Sequence, residues 1–240
     1  MSAVVNGRPG KVPGSVAQGA SKSDRLRTVL LALGIVGPLF YIATDILVSA
    51  RWKGYRYTDQ EVSELFAIGA PTRRLAVPLL VTYGALAIAF GVGVWGSAGR
   101  KRALRVVAGA LIGKEVAGII ATVITPMHMR GVKGTLTDSM HGTLTLVGSL
   151  CYLLAMGSGA TAFGRRFRLY SIGTILALIV GGTLAGRNIP QLAANLPTPW
   201  MGVWERINIS ATMLWISVLA SALLRAQEER PHDGLGGRRG

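Results

Sequence analysis

The sequence predicts an all-α polytopic membrane protein with six transmembrane helices and both termini in the cytoplasm. Three observations carry that expectation. Half of the 240 residues are apolar and 15% are charged, with a mean hydropathy of +0.43, whereas soluble domains have about 25% charged residues. Six apolar runs are each long enough to cross a hydrocarbon core, which takes roughly 20 helical residues. The cations gather in short clusters between these runs. A net charge of +15 and a pI near 11.0 would fit a nucleic-acid binder if the cations shared one soluble face. Interleaved with apolar runs, they argue against nucleic acid and make membrane lipids the expected partner.

Residues 1–25 read as a disordered basic arm, rich in Gly, Ser and Val and without an apolar period. Residues 26–226 form the membrane domain, and 227–240 a disordered tail. The first apolar run, 29–50, is too long for the h-region of an export signal, which spans about 7–15 residues. The others are 75–96, 104–124, 141–163, 169–186 and 203–224. Sixteen Lys and Arg residues lie in the arm, the tail and the two turns near 100–105 and 165–168. Nine lie on the opposite side, with Lys114 left inside the membrane. The positive-inside rule therefore puts the termini in the cytoplasm and the three longer connections outside.

In the first outer connection, Thr58-Asp59-Gln60-Glu61 has a capping-box pattern, and Val62, Leu65 and Phe66 follow on one helical face. The expectation is a short amphipathic helix lying on the membrane. The third connection holds Pro190, Pro197, Pro199 and Trp200, with Trp204 opening the last helix, an interfacial aromatic belt. Gly109 and Gly113 make a GxxxG in the third helix, so close helix packing is expected, and small-residue faces of this kind would serve a homo-oligomer. Cys151 is the only cysteine, so no intrachain disulfide can form.

The stretch 125–142 joins helices three and four and holds two of the three histidines, His128 and His141, with Asp138 between them. Asp138 and His141 are three apart, so on one helix face the carboxylate would orient the imidazole or share a metal with it. The competing reading makes Asp138 the cap of helix four and His141 an interfacial residue. His128, Asp138 and His141 are the metal candidates, zinc being the cofactor such ligands would take, with Glu61, Glu64 and Glu205 at the same depth. No HxxxH or HExxH spacing is present, and His232 lies in the tail on the other side. A hydrolase triad would use Ser63 as nucleophile, His141 as base and Asp138 to orient it. Lys114 and Glu115 fall mid-membrane, where an ionised side chain needs a partner or a wet cavity. Projecting about 100° apart, each is expected to find a partner on another helix, Asp45 for Lys114. These three intramembrane charges read either as a polar cavity or proton path, or as interhelical glue.

Gly37-Pro38-Leu39-Phe40, Val62-Ser63-Glu64-Leu65, the element from Asp138 to His141, and Trp204-Glu205-Arg206-Ile207 together resemble the domain of unknown function 998 family. That resemblance implies a six-helix prokaryotic integral membrane protein of the plasma (inner) membrane without an assigned activity. Carried over by position, the polar residues of the resemblance are Ser63, Glu64, Asp138, His141, Glu205 and Arg206. The leading expectation is an outer pocket of these residues that binds a lipid headgroup or small polar ligand. In it Arg206 would hold an anion, Glu64 and Glu205 would hold Arg206 or a ligand cation, and Asp138 would set the tautomer of His141. The alternatives are a metal-dependent lipid hydrolase, which a fainter likeness to the alkaline ceramidases evokes, and a proton-coupled transporter using Lys114 and Glu115.

Overall fold

The computed structural model describes residues 22–229. They form α1 (Lys22–Arg51), a 3-10 helix (Val62–Phe66), α2 (Arg73–Ser97), α3 (Arg102–Val123), α4 (Leu136–Ala162), α5 (Arg165–Gly186), the short α6 (Ile189–Ala193) and α7 (Met201–Glu228). Six helices, counting α5 through to Ala193, are long and apolar enough to span a membrane. Among the described residues there is no strand, only an isolated bridge between Ile68 and His128. This is the architecture of a multi-pass membrane protein, since helices satisfy their own backbone groups where no water can.

The helices form a ring in chain order. Each packs on the next, α5 passes to α7, and α7 closes on α1. Six long helices bring the end of α7 back to the start of α1, where Gln227 Nε2 donates to Thr28 Oγ1 at 2.9 Å. At this end the turns are short and flanked by cations; the opposite end carries the connections 52–72, 124–135 and 187–200.

The interior is filled unevenly. Leu31, Phe90, Val107, Met156, Trp215 and Leu219 are sealed into one apolar cluster toward the basic-turn end, with Trp215 Nε1 donating to Ser171 Oγ at 3.0 Å. A smaller cluster of Val48, Val62, Leu65, Phe66 and Ala76 seats the 3-10 helix between α1 and α2 at the loop end. The rest of that end, between α3, α4, α5 and α7, is left open.

Four sequence expectations change. The first connection is not an amphipathic surface helix: Val62, Glu64, Leu65 and Phe66 are all buried, and the capping pair is Glu61 with Glu64, one turn later than Thr58 with Glu61. Helix four starts at Leu136, five residues before His141. α1 begins at Lys22 and α7 runs to Glu228, so both helices extend into the stretches read as arm and tail; residues 1–21 and 230–240, His232 among them, lie outside the described residues. Gly109 and Gly113 do not bring helices together within the chain: a methyl at Gly109 would meet nothing, and one at Gly113 only Cys151 Sγ at 3.9 Å. The close approach is elsewhere. A methyl at Gly93 would stand 3.1 Å from the Leu30 carbonyl carbon and 3.2 Å from the Leu31 nitrogen, so only hydrogen lets α2 meet the α1 backbone.

Gly93→Ala should therefore destabilise the protein by about 1–3 kcal/mol through overpacking against a rigid backbone. Gly109→Ala should be neutral or stabilising by up to about 1 kcal/mol from helix propensity. Reversible unfolding in mixed micelles, comparing both variants with the parent, checks the ordering.

Candidate functional site

Much of the charge at the loop end is structural. The Arg206 guanidinium, 8% exposed, forms a two-pronged ion pair with Asp45, Nε to Oδ2 at 2.8 Å and Nη2 to Oδ1 at 3.0 Å. It also donates to the Tyr57 carbonyl at 2.8 Å and the Tyr55 hydroxyl at 2.9 Å, and stacks 3.6 Å from the Tyr57 ring centroid. Gly202 makes room for this, since a methyl there would fall on the carbonyl oxygens of Tyr57 and Gln60. Glu64, wholly buried, is held by Arg130 through two bonds of 2.8 and 2.6 Å and also accepts from Gln60 Nε2 and the Glu61 amide. Arg130 reaches on to Thr198 Oγ1, which donates to the Asp59 carbonyl. These bonds tie all three loop-end connections together.

Beside this frame lies a cavity of about 790 Å³ walled by α2, α3, α4, α5 and α7. Its deep end is the Lys114–Glu115 pair. Lys114 Nζ stands 2.9 Å from Glu115 Oε1, the same oxygen that accepts from Tyr83 and Tyr152 at 3.4 and 3.2 Å, and the two tyrosine rings flank the ammonium at 5.6 and 5.0 Å. The expectation of partners on other helices holds for both, through the hydroxyls of the tyrosines for Glu115 and their rings for Lys114, but Asp45 is not the lysine's counter-charge: the long lysine stem bridges to Glu115, and Asp45 belongs to Arg206. Nearer the loops the cavity is lined by Glu61, Ser63, His128, Asp138, His141 and Glu205.

Asp138 does not orient His141. Placed three residues beyond the N-cap Thr135, it accepts from the Thr135 amide at 2.8 Å, as a capping carboxylate does. It also takes the His128 amide at 2.7 Å and faces His128 Nδ1 at 3.1 Å. His141 turns to α3, its Nδ1 lying 3.0 Å from the Ala121 carbonyl and 3.2 Å from that of Thr125. Ser63 donates to Glu61 at 2.9 Å rather than to a histidine, so the hydrolase triad is not assembled. Nor is the three-ligand set of His128, Asp138 and His141, because among the described residues no three His, Cys, Asp or Glu side chains converge. Glu205 accepts from the Val62 amide at 2.6 Å and does not hold Arg206.

Of the six residues singled out by position, Ser63, Asp138, His141 and Glu205 line the cavity, while Glu64 and Arg206 stand outside it as frame. Tyr41, Tyr83, Tyr152 and Asn208 line it too and were not singled out as site residues. Counting helical depth from Glu115 along the neighbouring helices is the signal that could have found the tyrosines. Burial pushes the Glu61 carboxyl up to about 7, with Glu64 adding to the rise and the Ser63 hydrogen bond and Arg130 opposing it.

Fold and site together define a protein with six helices long and apolar enough for a membrane, and a largely apolar cavity with a few polar groups among them. The match to a family model described as protein of unknown function (DUF998) covers residues 35–222, most of the chain, with α2 to α5 whole and the greater part of α1 and α7, and the protein belongs to that family. No curated protein and no solved structure matches it.

Two predictions follow from the frame and the lining. Asp45→Asn leaves the buried Arg206 charge uncompensated and should cost about 3–5 kcal/mol, read by unfolding in detergent. For Glu61 the sign is set by a folded value raised from 4.5 to about 7: the cost of its charge is absent at low pH and grows as pH rises through that window. Glu61→Gln should thus melt with the parent near pH 4.5 and above it at pH 8; a gap that does not widen with pH contradicts the burial of this carboxyl.

Proposed function

We propose that the protein is a multi-pass membrane protein whose cavity opens to the extracytoplasmic side and binds a lipid headgroup or other small polar ligand. The observation that carries this reading is the 790 Å³ cavity between helices able to span a membrane, with an ion pair at its deep end and titratable side chains toward its loop end. Sites of this size, mostly apolar with a few convergent polar groups, suit small molecules. The orientation rests on the basic turns, which the positive-inside rule puts in the cytoplasm together with the termini. A prokaryotic plasma membrane is the location that this orientation and the family resemblance support.

The ligand contacts assigned here differ from those expected at first. Arg206 and Glu64 hold the frame, and Ser63, Glu61, His141 and Glu205 face the ligand. Asp138 keeps His128 at the rim. Lys114 and Glu115 form the floor, where an ionised pair inside a membrane protein marks a functional path by default.

Thr145→Trp, which places an indole at a cavity-lining position whose own hydroxyl bonds only the His141 carbonyl, should abolish retention of co-purifying lipid or polar ligand in native mass spectrometry while leaving the fold intact by circular dichroism. Retention equal to the parent's would remove the cavity as the binding site.

A further inference from the structure

Both Lys and Arg side chains in the cavity lining are matched, Lys114 with Glu115 and Arg130 with Glu64, and the His128 ring lies against Asp138. Two carboxylates are not. Glu61 and Glu205 line the cavity, and among the described residues neither has a Lys, Arg or His within ion-pair distance. Glu61 takes the Ser63 hydroxyl at 2.9 Å, and Glu205 takes the Val62 amide at 2.6 Å. The amide that reaches Glu205 belongs to the residue after Glu61, so the two carboxylates are held on adjoining backbone.

Two further polar groups of the lining point the same way. Both contacts of His141 Nδ1 are to carbonyl oxygens, which only accept, so Nδ1 carries a proton, and in the tautomer with that proton alone Nε2 is left as an acceptor. Among the described residues that nitrogen has no hydrogen-bond partner, and the residue is 8% exposed. Asn208 Oδ1 is buried without a partner as well, and buried acceptors are normally satisfied. Around Glu61 and Glu205 the cavity therefore offers acceptors and carboxylates that none of the lining's own cations pairs with. Around these groups Leu80, Leu144, Ile179 and Ile209 supply an apolar wall.

Resting on the reading that this cavity is the ligand site, we propose that it selects a molecule bearing a primary ammonium group, held by Glu61 and Glu205, with its apolar part on that wall. A primary ammonium has three donors for these acceptors; a quaternary ammonium has none, and an anion would meet two carboxylates. Phosphate- or sulfate-first binding would require Arg206 or Arg130, and both are held by carboxylates.

The test uses detergent-purified full-length protein and native mass spectrometry with phosphatidylethanolamine, phosphatidylcholine and phosphatidylglycerol of identical acyl chains, with free ethanolamine as competitor. Phosphatidylethanolamine should be retained about tenfold or more over the other two, the size of one charge-assisted hydrogen bond. Glu61→Gln and Glu205→Gln, singly and together, should erase that preference, while Thr145→Trp erases binding of every lipid. Each single variant carries the test where the double variant does not fold. Competition by ethanolamine identifies a free amine as sufficient, and its failure identifies the lipid as the source; both support ammonium selection. Equal retention of the three lipids, or a preference unchanged in both Gln variants while Thr145→Trp removes binding, overturns the ammonium proposal and leaves the cavity reading standing. Thermal stabilisation by calcium or magnesium alone, lost in the Gln variants, overturns it in favour of a metal ion. Absence of any retained lipid or ethanolamine shift in the parent overturns both.

Discussion

The ion pair between Arg206 and Asp45 is the interaction on which the loop end depends. A guanidinium at the start of a membrane-spanning helix has to be matched where water is scarce, and an ionised group in such a place needs both a counter-charge and filled hydrogen bonds. Asp45 brings the charge from α1, 161 residues earlier in the chain. The carbonyls of Tyr57 and Gln60 and the Tyr55 hydroxyl fill the remaining donors. To deliver those groups, the connection after α1 must fold back over α7, and Gly202 lets its backbone come close enough to do so. The rest of the connection is then fixed. The 3-10 helix drops between α1 and α2, Glu64 reaches Arg130, and the Val62 amide reaches Glu205. The geometry of the cavity mouth is thus a consequence of matching one arginine.

The helices were legible in the sequence because lipid solvation imposes length and composition on each one separately. The six runs lie within the six long helices to within a residue at their ends, and the basic turns fall where charge clusters placed them. The pairings were less legible, since they depend on where helices begin and which face they turn. Asp138 and His141 have the spacing of a helical pair, yet α4 opens at Leu136. That start leaves Asp138 in the first turn, bent back to the N-cap and the adjoining connection, where it meets His128. His141, one turn on, faces the end of α3, whose last carbonyls lack helical partners. It satisfies that of Ala121 and also the one at Thr125 just beyond. The capping reading, weighed against the catalytic one at the start, accounts for Asp138. Asp45 with Arg206 and Glu64 with Arg130 carry no local signature at all, being separated by 161 and 66 residues.

Lys114 and Glu115 show a different limit. Neighbouring residues diverge by about 100° around a helix, but that describes Cβ directions, and a lysine stem is long enough to curve back. Here it does so across Gly148, where a methyl would stand 3.5 Å from Lys114 Cγ. The tyrosines then complete the site, with hydroxyls on Glu115 and ring faces toward the ammonium.

Whether such a pair is glue or part of a site turns on where it sits. As glue it would be a poor choice: a buried ion pair often contributes less than apolar residues of the same volume, because desolvation of both charges exceeds their attraction. Packed inside the apolar cluster at the basic-turn end, it would carry that whole cost. At the bottom of a cavity it carries only part, since the space above admits water or a polar ligand. The same placement separates a ring filled with leucine, methionine and tryptophan on one side of the pair from a space on the other whose apolar wall is interrupted by threonine, glycine, histidine and carboxylates. The core stops at that depth because the charged pair, and not an apolar layer, closes it on the loop side.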